Sequence, residues 1–148
     1  MEKDGQRVKK LHSKLNLKPA LSWHTKIIQL KDIPANHSVG YGCTYKTVKK
    51  TKLALIPVGY WEGYDRKLSN YGEVLVQEKK CKIRGRVCMN LTMIDVTHLT
   101  KVRVGETVTL LGTDGWQKIS AEDMADKIRT INYEVITRIN PNIPRIYH

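Results

Sequence analysis

Phenylalanine is absent from this 148-residue chain, and acidic residues are few: 14 Asp and Glu stand against 26 Lys and Arg, a formal charge of +12. Seven Tyr and three Trp make up the aromatic set, so these rings carry polar tips that need a hydrogen-bond partner or water. Such a set suits a wet cleft or a subunit interface. Cysteine is sparse as well. Cys43, Cys81 and Cys88 are odd in number and form no Cys-x-x-Cys pair, which argues against a disulfide framework and a zinc site and favours a reducing cytoplasm. The five histidines (His12, His24, His37, His98 and His148) lack ligand spacing, so no metal is expected. No apolar run approaches the ~20 residues that span a bilayer, and no secretory signal opens the chain, so a soluble protein without a membrane partner is expected. Spacing alone also reveals no phosphate-cradling glycine loop, no Ser/His/Asp order and no paired catalytic carboxylates.

The length is that of one domain, and a fold of this size buries roughly 70% of the surface its unfolded chain exposes, enough for a core without disulfides or metal. The excess positive charge is concentrated in the opening segment (Lys3, Arg7, Lys9, Lys10, Lys14, Lys18), in Lys46 to Lys52 and in Lys79 to Arg86. These clusters read as solvated faces or subunit contacts ahead of a nucleic-acid surface.

Along the chain, Val8, Leu11 and Leu15 stand at helical spacing among basic residues, predicting a short helix over 5 to 16 that Pro19 ends. From Ala20 the period falls to two, with Leu21, Trp23 and Ile27 on one side, as in a strand. Turn residues follow at Pro34 to Asn36, then a glycine-flanked tyrosine loop at Gly40 to Gly42. Leu53 to Val58 is a short apolar strand. Gly59 to Gly72, with three Gly and three Tyr, is too broken for a regular element and reads as a long functional loop. Extended runs are expected at Glu73 to Gln77, Lys82 to Val96 and Thr107 to Leu111, between Lys-rich or Gly-containing turns. Ser120 and Asp123 form a capping box opening a helix from Ala121 to Arg129, with Met124, Ala125 and Ile128 buried. The tail Ile131 to Tyr147 alternates apolar and polar residues and predicts a terminal strand. The fold class is mainly β with one or two short helices, and no linker divides residues 19 to 148.

Six strings occur in order: Leu17-Lys-Pro-Ala-Leu-Ser-Trp23, Val39-Gly-Tyr-Gly-Cys-Thr-Tyr45, Pro57-Val-Gly-Tyr60 followed by Gly63-Tyr64, Leu68-Ser-Asn70, Gly85-Arg-Val-Cys-Met89 and Ile131-Asn-Tyr-Glu134. Together they resemble the C-terminal domain of alanine racemases over about residues 17 to 147. The resemblance implies a β-barrel-like domain at 17–148, preceded at 1–16 by the remnant of a barrel exit. In that family a (β/α)8 barrel holds pyridoxal 5'-phosphate (PLP), and a head-to-tail homodimer brings each β domain to the partner's active site. The implied activity is the isomerase reaction interconverting L- and D-alanine, which supplies D-alanine for peptidoglycan, with a small amino acid as substrate. Inverting a stereocentre needs bases on two faces, one a barrel lysine and the other a tyrosine of this domain.

By resemblance that catalytic tyrosine is Tyr41, whose glycine neighbours let the backbone bend close to a ligand. A phenol in water deprotonates only near pH ~10, so this base needs a neighbouring positive or hydrogen-bonding group, which the family's barrel supplies. Tyr60 matches the tyrosine that narrows the substrate channel. Met89 matches the residue whose backbone amide meets the substrate carboxylate, and Tyr133 the one that hydrogen-bonds the PLP phosphate. Two departures stand out. Asn90 replaces the acid usual after Cys-Met, withdrawing a charge beside Met89. In Trp61-Glu62-Gly63-Tyr64-Asp65, the typical Ala-Asp-Gly-Tyr-Pro is changed, and loss of the proline at Asp65 is expected to loosen the loop. No lysine sits in the PLP-binding context, so the chain reads as a fragment or the product of a split gene. It is expected to hold no PLP and to be inactive without a barrel domain in cis or in trans. The alternatives are a non-catalytic scaffold or regulator that kept the fold, and a small basic β domain that binds nucleic acid through exposed Tyr and Trp.

Overall fold

A computed structural model describes residues 18 to 147; the helix expected over 5 to 16, and with it the 1–16 segment, lies outside the described residues. Within them the fold is mainly β: β1 (Trp23–Lys26), β2 (Gln29–Ile33), β3 (Ser38–Val39), β4 (Tyr45–Lys46), β5 (Thr51–Ile56), β6 (Glu73–Val76), β7 (Lys79–Lys82), β8 (Thr92–Asp95), β9 (Thr107–Asp114) and β10 (Gln117–Ile119), followed by the helices α1 (Ala121–Ile128) and α2 (Asn132–Thr137). The larger sheet runs β1-β9-β6-β7 with β10 also on β9, the second runs β2-β5-β8, and β3 and β4 form a ribbon. Every pairing is antiparallel, and an isolated bridge between Ile83 and Ile94 joins the ends of the two larger sheets. The sheets stay open, so "barrel-like" describes them loosely.

The apolar patterning explains where each strand lies. β6 carries Val74, Leu75 and Val76 in succession, all fully buried between its neighbours β9 and β7, as a short unbroken apolar run requires. On β5, Leu53, Ala54 and Ile56 are buried. α1 lays Ala121, Met124, Ala125 and Ile128 on the core. Its start is the expected capping box: the Ser120 hydroxyl accepts from the Asp123 amide at 3.1 Å, and the Asp123 carboxylate accepts from the Ser120 amide at 2.8 Å. At the other end the Lys67 ammonium donates to the Ile128 carbonyl at 3.2 Å, placing a cation where the helix dipole is negative. Buried Tyr64 meets Trp23 edge-on, 5.9 Å between ring centroids.

Three expectations are corrected. The tail is not a strand: Asn132–Thr137 is helical, because Val135 and Ile139, four apart, both reach the core, a helical and not an alternating spacing. Lys82 to Val96 is not one strand either. Gly85 turns the chain with φ 78, and pairing resumes only at Thr92. Lys79 and Lys80, read as a turn, lie in β7. The turn before them is Gln77 and Glu78, both left-handed (φ 51 and 60), the backbone a two-residue hairpin needs and one that usually signals itself with glycine. The strand read from Ala20 forms as β1, with Trp23 and Ile27 buried, and β2 follows it in the second sheet. Among the described residues no helix is long and apolar enough to cross a membrane.

Candidate functional site

Tyr41 lies on a single 3-10 turn, Tyr41–Cys43, and is 73% exposed. Its flanking glycines are both left-handed, Gly40 at φ 76 and Gly42 at φ 72, a conformation that costs glycine little. They also permit close contact. A Cβ on Gly40 would stand 3.3 Å from the Arg86 amide nitrogen and the Gly85 Cα, and one on Gly42 only 2.8 Å from the Arg86 guanidinium. The tyrosine turn therefore rests on Gly85 and Arg86. Asn70 stitches the two together: its side-chain oxygen accepts from the Gly85 amide at 2.6 Å, and its NH2 donates to the Thr44 carbonyl and hydroxyl, each at 3.2 Å. Ser69 adds a further tie, accepting from the Val87 amide at 3.0 Å.

The next loop binds the other face of the same segment. The Tyr60 amide donates to the Cys88 carbonyl at 3.0 Å and the Trp61 amide to the Met89 carbonyl at 2.9 Å. Gly59 makes this approach possible, since a Cβ there would stand 2.1 Å from the Cys88 oxygen and 2.4 Å from the Met89 oxygen. Cys88 donates its own amide to the Leu91 carbonyl at 2.9 Å, turning the chain at Met89, which is 54% exposed. Among the described residues nothing accepts from the Met89 amide. That N–H is available to an outside acceptor.

Two of the residues that depart from the family pattern, Glu62 and Asn90, are bonded to each other. Asn90 donates its side-chain amide to one oxygen of Glu62 at 2.8 Å, while the other oxygen accepts from the Gly59 amide at 2.8 Å. Asp65 stands where the pattern has a proline, and it makes two bonds of its own. It caps the 3-10 turn Arg66–Leu68, accepting from the Lys67 amide at 2.8 Å, and pairs with the Arg138 guanidinium at 2.8 Å.

Arg138 also pairs with Glu134 of α2, the helix that carries Tyr133, itself 71% exposed. Just beyond, Asn140 donates its backbone amide to the Glu62 carbonyl and its side chain to the Trp61 carbonyl, both at 3.1 Å. Tyr41, Tyr60, Met89 and Tyr133 thus sit on four segments cross-linked into one assembly, with an open cleft beside Tyr60 lined by Gly63, Asp65, Arg66 and Arg138. Among the described residues nothing bonds the phenol oxygens of Tyr41, Tyr60 or Tyr133. A phosphate would find an exposed, uncommitted phenol at Tyr133.

Three other titratable groups are shifted by their surroundings. Burial, with a smaller push from Glu73, raises the Tyr64 phenol far above its ordinary value. Burial and the nearby Asp95 carboxylate push the Cys81 thiol up to about 12. Burial alone would raise Asp95, but bonds from the Thr97 hydroxyl and amide and from Arg84 together hold it below the usual carboxylate value. All three cysteines are free, and among the described residues no cluster of three or more His, Cys, Asp or Glu could hold a metal ion.

Sequence reasoning missed Gly59, Glu62, Asp65 and Arg138 as builders of this site. Glu62 and Asp65 were visible only as departures from a pattern, and their partners are 28 and 73 positions away.

Residues 20–147 match the family described as alanine racemase, C-terminal domain. The chain is 53% identical over 130 residues to an alanine racemase of Leptospira interrogans, covering 88% of this chain and 33% of that protein. Among solved structures, the alanine racemase from E. faecalis superposes with a TM-score of 0.85 at 40% identity, covering 90% of this chain and 35% of that one. The Bacillus anthracis alanine racemase with bound L-Ala-P gives 0.85 at 38% identity, covering 94% and 36%. The chain spans about a third of the length of these relatives.

Proposed function

Since the chain belongs to the alanine racemase family as a C-terminal domain, we propose that it contributes the catalytic tyrosine, Tyr41, to a PLP-binding barrel domain in cis or in trans, and that it is inactive without one. The observation that carries this reading is the exposure of Tyr41, with its phenol free of partners among the described residues, on a turn clamped by Gly40, Gly42 and Asn70. A group meant to exchange a proton with an outside molecule needs that combination of a rigid base and an uncommitted tip.

The chemistry that PLP supplies when bound is withdrawal of electrons from the substrate Cα, which acidifies its proton. Tyr41 holds or accepts that proton at its phenol oxygen on the face opposite the barrel lysine. The free Met89 amide receives the substrate carboxylate in a direction set by the backbone, without side-chain entropy to lose. Tyr60 narrows the approach and Tyr133 donates to the cofactor phosphate. The substrate is alanine, the setting the cytoplasm and the product D-alanine for peptidoglycan. The complete enzyme is a homodimer in which the exposed tyrosine-bearing face is covered by the barrel.

The test is reconstitution. Supplied with a matching barrel domain carrying PLP, the chain should racemise alanine, and Tyr41→Phe should cut activity by about 10²- to 10⁴-fold in at least one direction, the usual worth of a positioned acid–base group. Folding should be unchanged, since only an exposed oxygen is lost. Full activity of Tyr41→Phe in both directions would remove Tyr41 from the mechanism.

A further inference from the structure

The Glu62 carboxylate has a position that packing alone does not require. It is half-buried, and both of its oxygens are engaged, one by the Gly59 amide and one by the Asn90 side chain, each at 2.8 Å. Those partners bracket the two backbone bonds that join Tyr60 to Cys88 and Trp61 to Met89. The Glu62 main chain is pinned in turn by the Asn140 amide at 3.1 Å. We propose that Glu62 is a positioning residue that fastens the Tyr60 loop to the Met89 turn as one unit, holding the Met89 amide in register with Tyr60 for a substrate carboxylate. This rests on the reading of Met89 and Tyr60 given above.

The direction of the bonds is what makes the assignment specific. An ionised carboxylate only accepts hydrogen bonds, so the group facing it at position 90 must donate, and Asn90 does. An aspartate there would set two acceptor-only like charges at hydrogen-bond distance, which repel until one takes a proton. The strap therefore depends on a matched pair, a carboxylate at 62 with an amide at 90, and the polarity can be reversed without loss. With Glu62→Gln and Asn90→Asp together, the glutamine oxygen still accepts from Gly59 while its NH2 donates to the carboxylate introduced at position 90.

Amide hydrogen exchange on the chain by itself reads the strap directly. In Asn90→Asp, protection of the Tyr60 and Trp61 amides at pH 7 should fall about tenfold or more, the size expected for one charge-assisted bond. Protection should return when the pH is lowered enough to protonate one of the two carboxyls, and it should return at pH 7 in the Glu62→Gln, Asn90→Asp double variant. Position 90 is exposed, so the single variant leaves the core intact. Unchanged protection in Asn90→Asp, or loss that the double variant does not reverse, would overturn the proposal. In the barrel-reconstituted enzyme KM for alanine should follow the same order, up about tenfold in Asn90→Asp and restored in the double variant, with kcat changed less. Protection that follows the pattern while KM stays constant would leave the strap standing and remove Met89 from substrate binding.

Discussion

The central strands and the tyrosine-bearing loops differ in what holds them. β6 and β9 are secured by apolar area: Val74, Leu75, Val76, Val108 and Leu110 have no exposed surface, and the force on them is non-directional and scales with area removed from water. The loops at 40–44, 59–65 and 84–91 reach the core through Tyr64 and Val87, and away from those two anchors they are held differently. They are held by glycines that let chains touch and by hydrogen bonds with fixed polarity through Asn70, Glu62, Asp65 and Asn140. One region tolerates changes that conserve volume; the other tolerates changes that conserve direction. A stability measurement reports on both, and amide exchange in the loops singles out the second.

The contrast breaks most visibly in the core. Leu75→Ala should lower unfolding free energy by about 2–5 kcal/mol through lost transfer energy and a residual cavity, read from urea denaturation with an unchanged slope, while Tyr60 and Trp61 amides exchange as before under native conditions. Gly59→Ala should do the reverse. Its added methyl would stand 2.1 Å from the Cys88 carbonyl, and relief by local displacement should cost about 1–3 kcal/mol while stripping protection from those two amides. Equal exchange in Gly59→Ala and the parent chain would mean that close contact is not what sets this loop. Smaller again, Ser120→Ala removes one side of the capping box and should cost about 1 kcal/mol, with faster exchange confined to the first turn of α1.

The least effect comes from protons. Asp95 and Asp123 both sit below their ordinary value: in Asp95 the Thr97 and Arg84 contacts outweigh the opposing effect of burial, and in Asp123 the Ser120 amide leads. A depressed carboxylate stabilises fully above its unfolded pKa, near ~4, and that contribution is lost as pH falls through the folded value. Tm should therefore be flat from neutrality to about pH 5 and fall below ~4, with a shallower fall in Asp95→Asn. An identical acid limb in that variant would dismiss Asp95 as a contributor.

Most of the core was legible because burial imprints itself on neighbours in the chain. The run Glu73 to Gln77, the strand near Leu53 and the box at Ser120 and Asp123 are each local patterns, and each element formed. Legibility failed where a local pattern served two readings. Ile131, Val135 and Ile139 alternate with polar residues closely enough to pass for a strand, yet their four-residue spacing is that of α2. It also failed at Gln77 and Glu78, whose left-handed turn is secured by a distant group, the Asp114 carboxylate accepting from the Glu78 amide at 2.9 Å. The family was readable from six strings, whose segments carry Tyr41, Tyr60, Met89 and Tyr133. What joins them was not, because Glu62 with Asn90 and Asp65 with Arg138 are pairs across long stretches of chain, and a single sequence carries no signal for such partners.

Gly59 has a consequence for how this domain is able to vary. Every other amino acid brings a Cβ, and here that atom would fall inside the contact radius of two carbonyl oxygens on a separate loop. The positions around it are free to drift in compensating pairs, as 62 with 90 and 65 with 138 have room to do. Position 59 has no compensating partner, because the obstacle is main chain and no substitution elsewhere moves a carbonyl aside. In a library that varies 62 together with 90 and 65 together with 138, selected for function, each pair should return more than one solution and residue 59 only glycine. A loop that looks like the most changeable part of the domain therefore turns on a single immovable pivot.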